Sequence, residues 1–263
     1  MPFVKGLVAM AFIWTIHITP VLSQQARPTD GVQVWSYYES LPFKINEAGE
    51  GLSQDFFDLL NQYNVFDFKL EVIPRVRLNY YLSQDYSGVV PFVNWQWMGK
   101  HSKEKYLWSA PLLHDRNEII SSIESPVQYS GPQSLEGKSF AAIRGRKYAG
   151  LEALMAQNKI HRKFVYNEGS VLLLIHSGRV KTSSMARTLL IPHIKKHQLQ
   201  GKIFISKTPL FSFTRHIMTS KSLPDVHEFI EGVVEGLEKN IKWQAILKKY
   251  GLENKQAGNC LKC

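Results

Sequence analysis

The apolar patterning of this chain switches period again and again, and that alternation restricts its fold more than any other feature. Gly31 to Tyr38 alternates and is rich in β-formers, which predicts a first strand. Leu41-Pro42-Phe43 and Asn46-Glu47-Ala48-Gly49-Glu50-Gly51 carry turn chemistry. Ser53 is then placed to cap a helix whose apolar face is Phe56, Phe57, Leu59, Leu60 and Tyr63. Phe66 to Ile73 predicts a second strand, Val76 to Leu82 a short helix and Ser87 to Val93 a third strand. Strand, helix, strand, helix, strand is the order of a parallel sheet wrapped by helices.

The theme recurs downstream. Strands are predicted over 138–143, 163–166, 180–184, 203–207 and 213–219. Helices are predicted over 148–157, 170–177, 186–197, 225–240 and 243–250. Asp225 after Pro224, with Glu228 three residues on, marks one helix start. Two α/β units in series with no low-complexity linker imply two lobes joined by strands, with a cleft between them.

The first residues predict export. Met1 to Lys5 carries one positive charge and no acid, and Gly6 to Ile18 is apolar apart from Thr15 and His17. Thr19-Pro20-Val21-Leu22-Ser23 follows, with small or tolerated side chains at Val21 and Ser23. This order is that of a secretory signal peptide, residues 1–23, cleaved after Ser23. The alternatives are a buried helix or a membrane anchor, but the apolar run is shorter than the roughly 20 residues a spanning helix needs. No cysteine follows it, so no lipid-modified N-terminus is expected, and no later segment is long and apolar enough to span a membrane.

The net charge is +10, yet the basic residues are scattered, and only Lys195-Lys196-His197 and Lys248-Lys249 cluster. With no nucleic-acid motif beside them, a solvated face is expected rather than a nucleic-acid partner. The two cysteines, Cys260 and Cys263, sit in a segment that reads as a loose tail, 252–263. One Cys-x-x-Cys pair cannot close a tetrahedral metal site, so a tail disulfide or two idle thiols is the reading, and the core folds without disulfides. No nucleophile elbow, Ser-x-x-Lys, His-Glu-x-x-His, Gly-x-Gly-x-x-Gly or phosphate loop is present. No enzyme, metal or cofactor is therefore expected.

Several segments, in order, carry a resemblance. They are Leu41-Pro42-Phe43, Gly51 to Leu60, Tyr106-Leu107-Trp108-Ser109-Ala110-Pro111-Leu112, Leu135-Glu136-Gly137-Lys138 with Gly145, Leu173 to Val180, and Trp243 to Gly251. Together they resemble the family 3 extracellular solute-binding proteins, of type II periplasmic binding protein fold. The resemblance implies an α/β, two-lobed molecule with a mixed, mostly parallel sheet in each lobe. It implies lobe 1 over 24–117 plus 212–251 and lobe 2 over 118–211. It further implies a monomer of the periplasm that captures a small solute by hinge closure for a membrane permease. A sensor signalling to a membrane partner and a cleft enzyme with an unrecognised site are the other readings. Amino-acid-binding members place an Arg before the aromatic-Ser-x-Pro segment and an Asp after the Gly-x-Val step. Here those stretches hold Ser102-Lys103 and Val180-Lys181-Thr182-Ser183-Ser184-Met185-Ala186, without either anchor. An ordinary α-amino acid is thus disfavoured as ligand.

Strand C-termini face the crevice in such sheets, which nominates Tyr37 and Tyr38 after the first strand, Arg75 after the second, and Asn94 and Trp95, with Trp97, after the third. In the second unit Arg144-Gly145-Arg146-Lys147-Tyr148 is expected to open a helix, whose free N–H groups favour an anion. Arg144, Arg146 and Tyr148 are candidates there, and Arg187 is a further one. The expected ligand carries an acidic or strongly polar group and an apolar or aromatic part.

Overall fold

The computed structural model of the chain describes residues 31–253. The expected signal peptide and the two cysteines lie outside the described residues.

Ten strands and eight α-helices form among the described residues. In the first part β1 (Val32–Ser36), α1 (Leu52–Asn61), β2 (Phe68–Val72), α2 (Arg75–Ser83) and β3 (Val89–Val93) follow the expected order. A 3₁₀ turn (Trp95–Trp97), a one-turn helix α3 (Ser102–Lys105) and a short strand β4 (Tyr106–Trp108) come next. The middle of the chain holds β5 (Leu113–Ser122), β6 (Ser139–Ile143), α4 (Glu152–Ala156), β7 (His161–Val165), α5 (Glu168–His176), β8 (Thr182–Ala186), α6 (Arg187–Lys196) and β9 (Ile203–Ile205). Strand β10 (Phe211–Ser220) and helices α7 (Pro224–Gly236) and α8 (Ile241–Lys249) complete it.

The strands run in the order β2-β1-β3-β10-β5-β8-β6-β7, with β4 beside β10 and β9 beside β5. The outer triplets, β2-β1-β3 and β8-β6-β7, are parallel. The two long strands between them pair antiparallel, Phe211 opposite Asn117 through Arg215 opposite Leu113. Each long strand divides its length: β10 pairs β3 and β4 through His216–Ser220, and β5 pairs β8 and β9 through Asn117–Ser122. One apolar cluster runs through both parts, from Phe56, Phe57 and Leu60 on α1 and Trp243 on α8 to Val171, Leu172 and Leu190 on α5 and α6. Smaller clusters lie around Phe140, Tyr148 and Leu151, and around Trp35, Leu78 and Met218.

Three expectations need correction. Ser53 does not cap α1; Gly51 precedes the helix, and Ser53 lies buried in its first turn. Gly51 has φ +153°, and a Cβ there would meet the Phe43 carbonyl oxygen at 2.3 Å, so the Leu41–Phe43 turn closes directly on the helix start. The helix expected over 148–157 shrinks to the five residues of α4, because Gly145 and Gly150 adopt φ +81° and +84° and divert the chain. Strand β5 was not expected at all. Its first half, His114-Asp115-Arg116-Asn117-Glu118, reads as polar chain, but its carboxylates are neutralised by Arg116 within the strand and by Arg187 and Arg215 brought from elsewhere.

Candidate functional site

At the C-terminal ends of β1 and β2, rings and guanidinium groups stack. Tyr37 and Tyr38 lie with centroids 4.5 Å apart, and Tyr38 continues onto Phe43 at 4.2 Å. Arg75, the first residue of α2, sets its guanidinium 4.7 Å over the Tyr37 ring. It donates to the Trp97 carbonyl through Nη2 and to Asn79 Oδ1 at 2.9 Å through Nε. Tyr37, Tyr38 and Arg75 are thus brought together, with Trp97 as a fourth member. Burial raises the Tyr37 phenol well above its usual range, and Tyr38 beside it adds to the rise, so the hydroxyl stays protonated and able to donate.

Beneath this group lies a buried ion pair that the sequence did not disclose. Arg215 of β10 is 2% exposed and reaches Asp115 of β5 through Nη2 at 2.8 Å and Nε at 2.9 Å. Its Nη1 donates to Tyr38 Oη at 2.7 Å and to the Phe92 carbonyl at 3.1 Å. Tyr38, Phe43, Trp97 and Phe213 place their ring centroids 5.2–5.5 Å from its central carbon. Burial alone would lower the guanidinium's pKa, but Tyr38 and the Asp115 carboxylate outweigh it and the net shift is upward. Asp115 also accepts from the backbone N–H groups of Arg116 at 2.8 Å and Thr188 at 3.2 Å, and from the Thr188 hydroxyl. Thr188 stands in the first turn of α6, after β8. One guanidinium–carboxylate pair therefore ties the end of β1, the bend at Phe92, both long strands and the start of α6. Phe92 itself has φ +59°, a strained conformation for an aromatic residue, and its carbonyl receives both Arg215 and Tyr38.

The residues after β3 separate by role. Asn94 is 3% exposed; its oxygen accepts from the Gln96 N–H at 3.0 Å and its amide donates to the Thr214 carbonyl at 2.9 Å. Both ends of that side chain are used in shaping the turn. Trp95 is half-buried and packs on His216 at 4.9 Å and Trp108 at 6.1 Å, under the Lys103 ammonium at 5.3 Å. His216 is held neutral, its pKa lowered by burial against the opposing pull of the carbonyls near it. Its Nδ1 lies 2.8 Å from the Ser109 carbonyl, an acceptor only, so Nδ1 carries the proton and Nε2 accepts from the Thr214 hydroxyl.

In the second part Arg144, directly after β6, is exposed. Its guanidinium lies 5.4 Å from the Phe164 centroid and 5.8 Å from that of Tyr166, which is 80% exposed. Arg144 forms no ion pair among the described residues. Arg146 pairs with Glu168 at 2.7 Å. Burial tends to raise the Glu168 pKa, but Arg146 and the backbone hydrogen bond bring it below the usual carboxylate range. Arg187 pairs at 2.9 Å with Glu118, which is fully buried and shared with Arg116 at 2.7 Å. Tyr148 is buried, and its hydroxyl accepts from the Ile143 N–H at 2.8 Å. The 144–148 segment thus lies in a turn, not at the mouth of a long helix, and offers no helix-end field for an anion. What it offers is the Arg144 side chain.

Among the described residues no group of three His, Cys, Asp or Glu side chains is placed to hold a metal ion. No helix among them is long and apolar enough to cross a membrane.

No family model matches the chain, and no curated protein matches it. Solved structures do. An ancestral arginine-binding protein bound to arginine superposes with a TM-score of 0.64 at 16% identity, covering 84% of this chain and 97% of the other. The GluR0 ligand-binding core from Nostoc punctiforme, in complex with L-glutamate, gives 0.65 at 15% identity, covering 84% and 99%. Holo ArgBP from T. maritima gives 0.59 at 18% identity, covering 84% and 95%. At these identities the likeness is one of architecture, and the chain has the α/β fold, with mixed sheets, of the type II periplasmic binding proteins.

Proposed function

We propose that this chain is a binding protein rather than an enzyme, and that it captures a small polar or anionic solute between two lobes. Lobe 1 comprises residues 24–117 and 212–251 and lobe 2 residues 118–211, with β5 and β10 as the strands about which they close. One observation carries the reading. At the C-terminal ends of parallel strands in both parts, a guanidinium lies over an aromatic ring without a carboxylate partner among the described residues: Arg75 on Tyr37, and Arg144 beside Tyr166. Ligands of open α/β sheets bind beyond such strand ends. A ring or apolar body rests on the exposed Tyr166 and beside the Tyr37–Arg75 stack, and an acidic group meets the two arginines. Arg146 and Arg187 are already paired and tune the surroundings rather than hold the solute. The expected N-terminal leader, residues 1–23, supports export to the periplasm, and on this reading a membrane permease receives the solute. A second reading is a sensor that signals to a membrane partner; a ligand-binding core stands among the similar structures.

A thermal-shift screen of the mature chain against small metabolites tests the proposal. A true ligand at a hundredfold excess over its Kd stabilises by about 2.7 kcal/mol. That gain should shrink in Arg75→Ala and Arg144→Ala. If no small solute stabilised the protein, and only a protein partner did, the proposal would fail.

A further inference from the structure

Beside the Tyr37–Arg75 group, and apart from Arg144 and Tyr166, a concavity of about 390 Å³ opens between α2 and the segment after β3. Helical spacing builds one wall. Arg75, Asn79, Leu82 and Ser83 stand at i, i+4, i+7 and i+8, and so share one face of α2. Backbone turns build the other. Gly99 at φ +100° and His101 at φ +60° fold the chain back on itself and bring Lys100 and Lys105 to the rim. The floor is apolar, made by Leu82, Met98 and Tyr106, each 8–9% exposed.

The charges of the lining all have one sign. Arg75, Lys100 and Lys105 contribute cations, and no carboxylate lines the cavity. Arg75 is held at Nε and Nη2 by Asn79 and the Trp97 carbonyl, which fixes its orientation and leaves Nη1 for a further acceptor. Lys100 forms no ion pair among the described residues. Lys105 meets Asp85 at 2.8 Å, but those side chains are 49% and 77% exposed, so the pairing is weak and solvent-screened. Arg75 and Lys100, with Lys105 partly offset by Asp85, give a net positive field over a low-dielectric floor that concentrates anions. An inorganic ion would leave that floor wet. A cavity of this size falls at the lower end of the range for small-molecule sites, roughly 300–1,000 Å³.

We propose that this cavity is a second binding site, for a small organic anion whose carboxylate or phosphate meets Arg75 and Lys100 and whose compact apolar body rests on Leu82, Met98 and Tyr106. Asn79 and Ser83 supply polar contacts at its edge. The site shares Arg75 with the interlobe reading and is told from it by Lys100 and Ser83, which belong to neither Tyr37's stack nor the Arg144 group.

Calorimetric titration of the mature chain with benzoate, phenyl phosphate and inorganic phosphate tests it. The two ring-bearing anions bind saturably at one to one, and inorganic phosphate binds at least tenfold more weakly. Lys100→Ala weakens the ring-bearing anions about tenfold, as loss of one charged hydrogen bond implies. Ser83→Trp fills the cavity and abolishes binding. Both positions are exposed, so neither change threatens the fold. Lys202→Ala, an exposed cation outside both sites, leaves the affinity as it was. The proposal is overturned if the wild type binds neither ring-bearing anion, or if inorganic phosphate binds as tightly. It is also overturned if both cavity variants keep full affinity, as binding in the interlobe cleft would give, or if Lys202→Ala weakens binding as much as Lys100→Ala does.

Discussion

Replacing Asp115 with alanine removes a carboxylate from a guanidinium that is 2% exposed and makes two contacts of 2.8–2.9 Å to it. The charge of Arg215 then remains buried without its counter-ion. Breaking a buried pair in this way costs about 3–5 kcal/mol. Two features set where in that range the loss falls. The Thr188 hydroxyl and two backbone N–H groups also lose their acceptor, which adds to it. Against this, the Tyr38 hydroxyl, the Phe92 carbonyl and four aromatic faces still surround the guanidinium. A loss of about 3–4 kcal/mol is expected, and at 2–4 °C per kcal/mol it lowers the melting temperature by roughly 6–16 °C. Urea unfolding of the mature chain followed by circular dichroism measures it, with an unchanged m-value as the sign that the transition itself is the same. The double variant Asp115→Leu/Arg215→Met removes both charges and should recover much of the loss. A loss below about 1 kcal/mol for the single variant, or a double variant less stable than the single, would refute the claim that this pair ties the molecule together.

Three other perturbations have directions fixed by the same structure. His193 and His216 have pKa values lowered by burial, so their contribution is complete above the unfolded histidine pKa of about 6.5 and is lost as pH falls from there through their lower folded values. The urea midpoint should therefore drop between pH 7.5 and 5.5, and His216→Gln should flatten the slope. Tyr250 is pushed up to about 12 by burial and by its 2.8 Å hydrogen bond to Asp55, so its contribution holds below about pH 10 and is lost as pH rises toward 12. Tyr250→Phe should remove that alkaline loss, seen as a melting temperature that no longer falls in step with phenolate absorbance. Gly51→Ala forces a side chain against the Phe43 carbonyl at φ +153° and should destabilise by more than about 1 kcal/mol in the same urea assay.

How much of this was legible in the sequence depends on whether the signal was local. The β1–α1–β2–α2–β3 run could be read because apolar residues recur at strand or helix spacing within a few positions, and the order of elements then pointed to the architecture. Strand β5 was hidden because its polar half is stabilised by partners far along the chain; Asp115 and Arg215 are 100 residues apart. The helix expected at 148 failed on two glycines whose left-handed conformation a periodicity count does not weigh. The same division applies to the candidate site. Tyr37, Tyr38 and Arg75 follow from the rule that strand C-termini face the crevice, and the structure brings them into one group. Which arginine is free is a pairwise matter. Arg144, Arg146 and Arg187 look equivalent as letters, yet Glu168 and Glu118 take two of them.

The central claim, capture of one small solute between Arg75 and Arg144, is met most directly by native mass spectrometry of the mature protein against a panel of small polar and anionic metabolites. The account predicts a one-to-one adduct with at least one of them, retained in Lys100→Ala and lost in the Arg75→Ala/Arg144→Ala variant. A panel that yields no adduct, or an adduct that survives loss of both arginines, would contradict it.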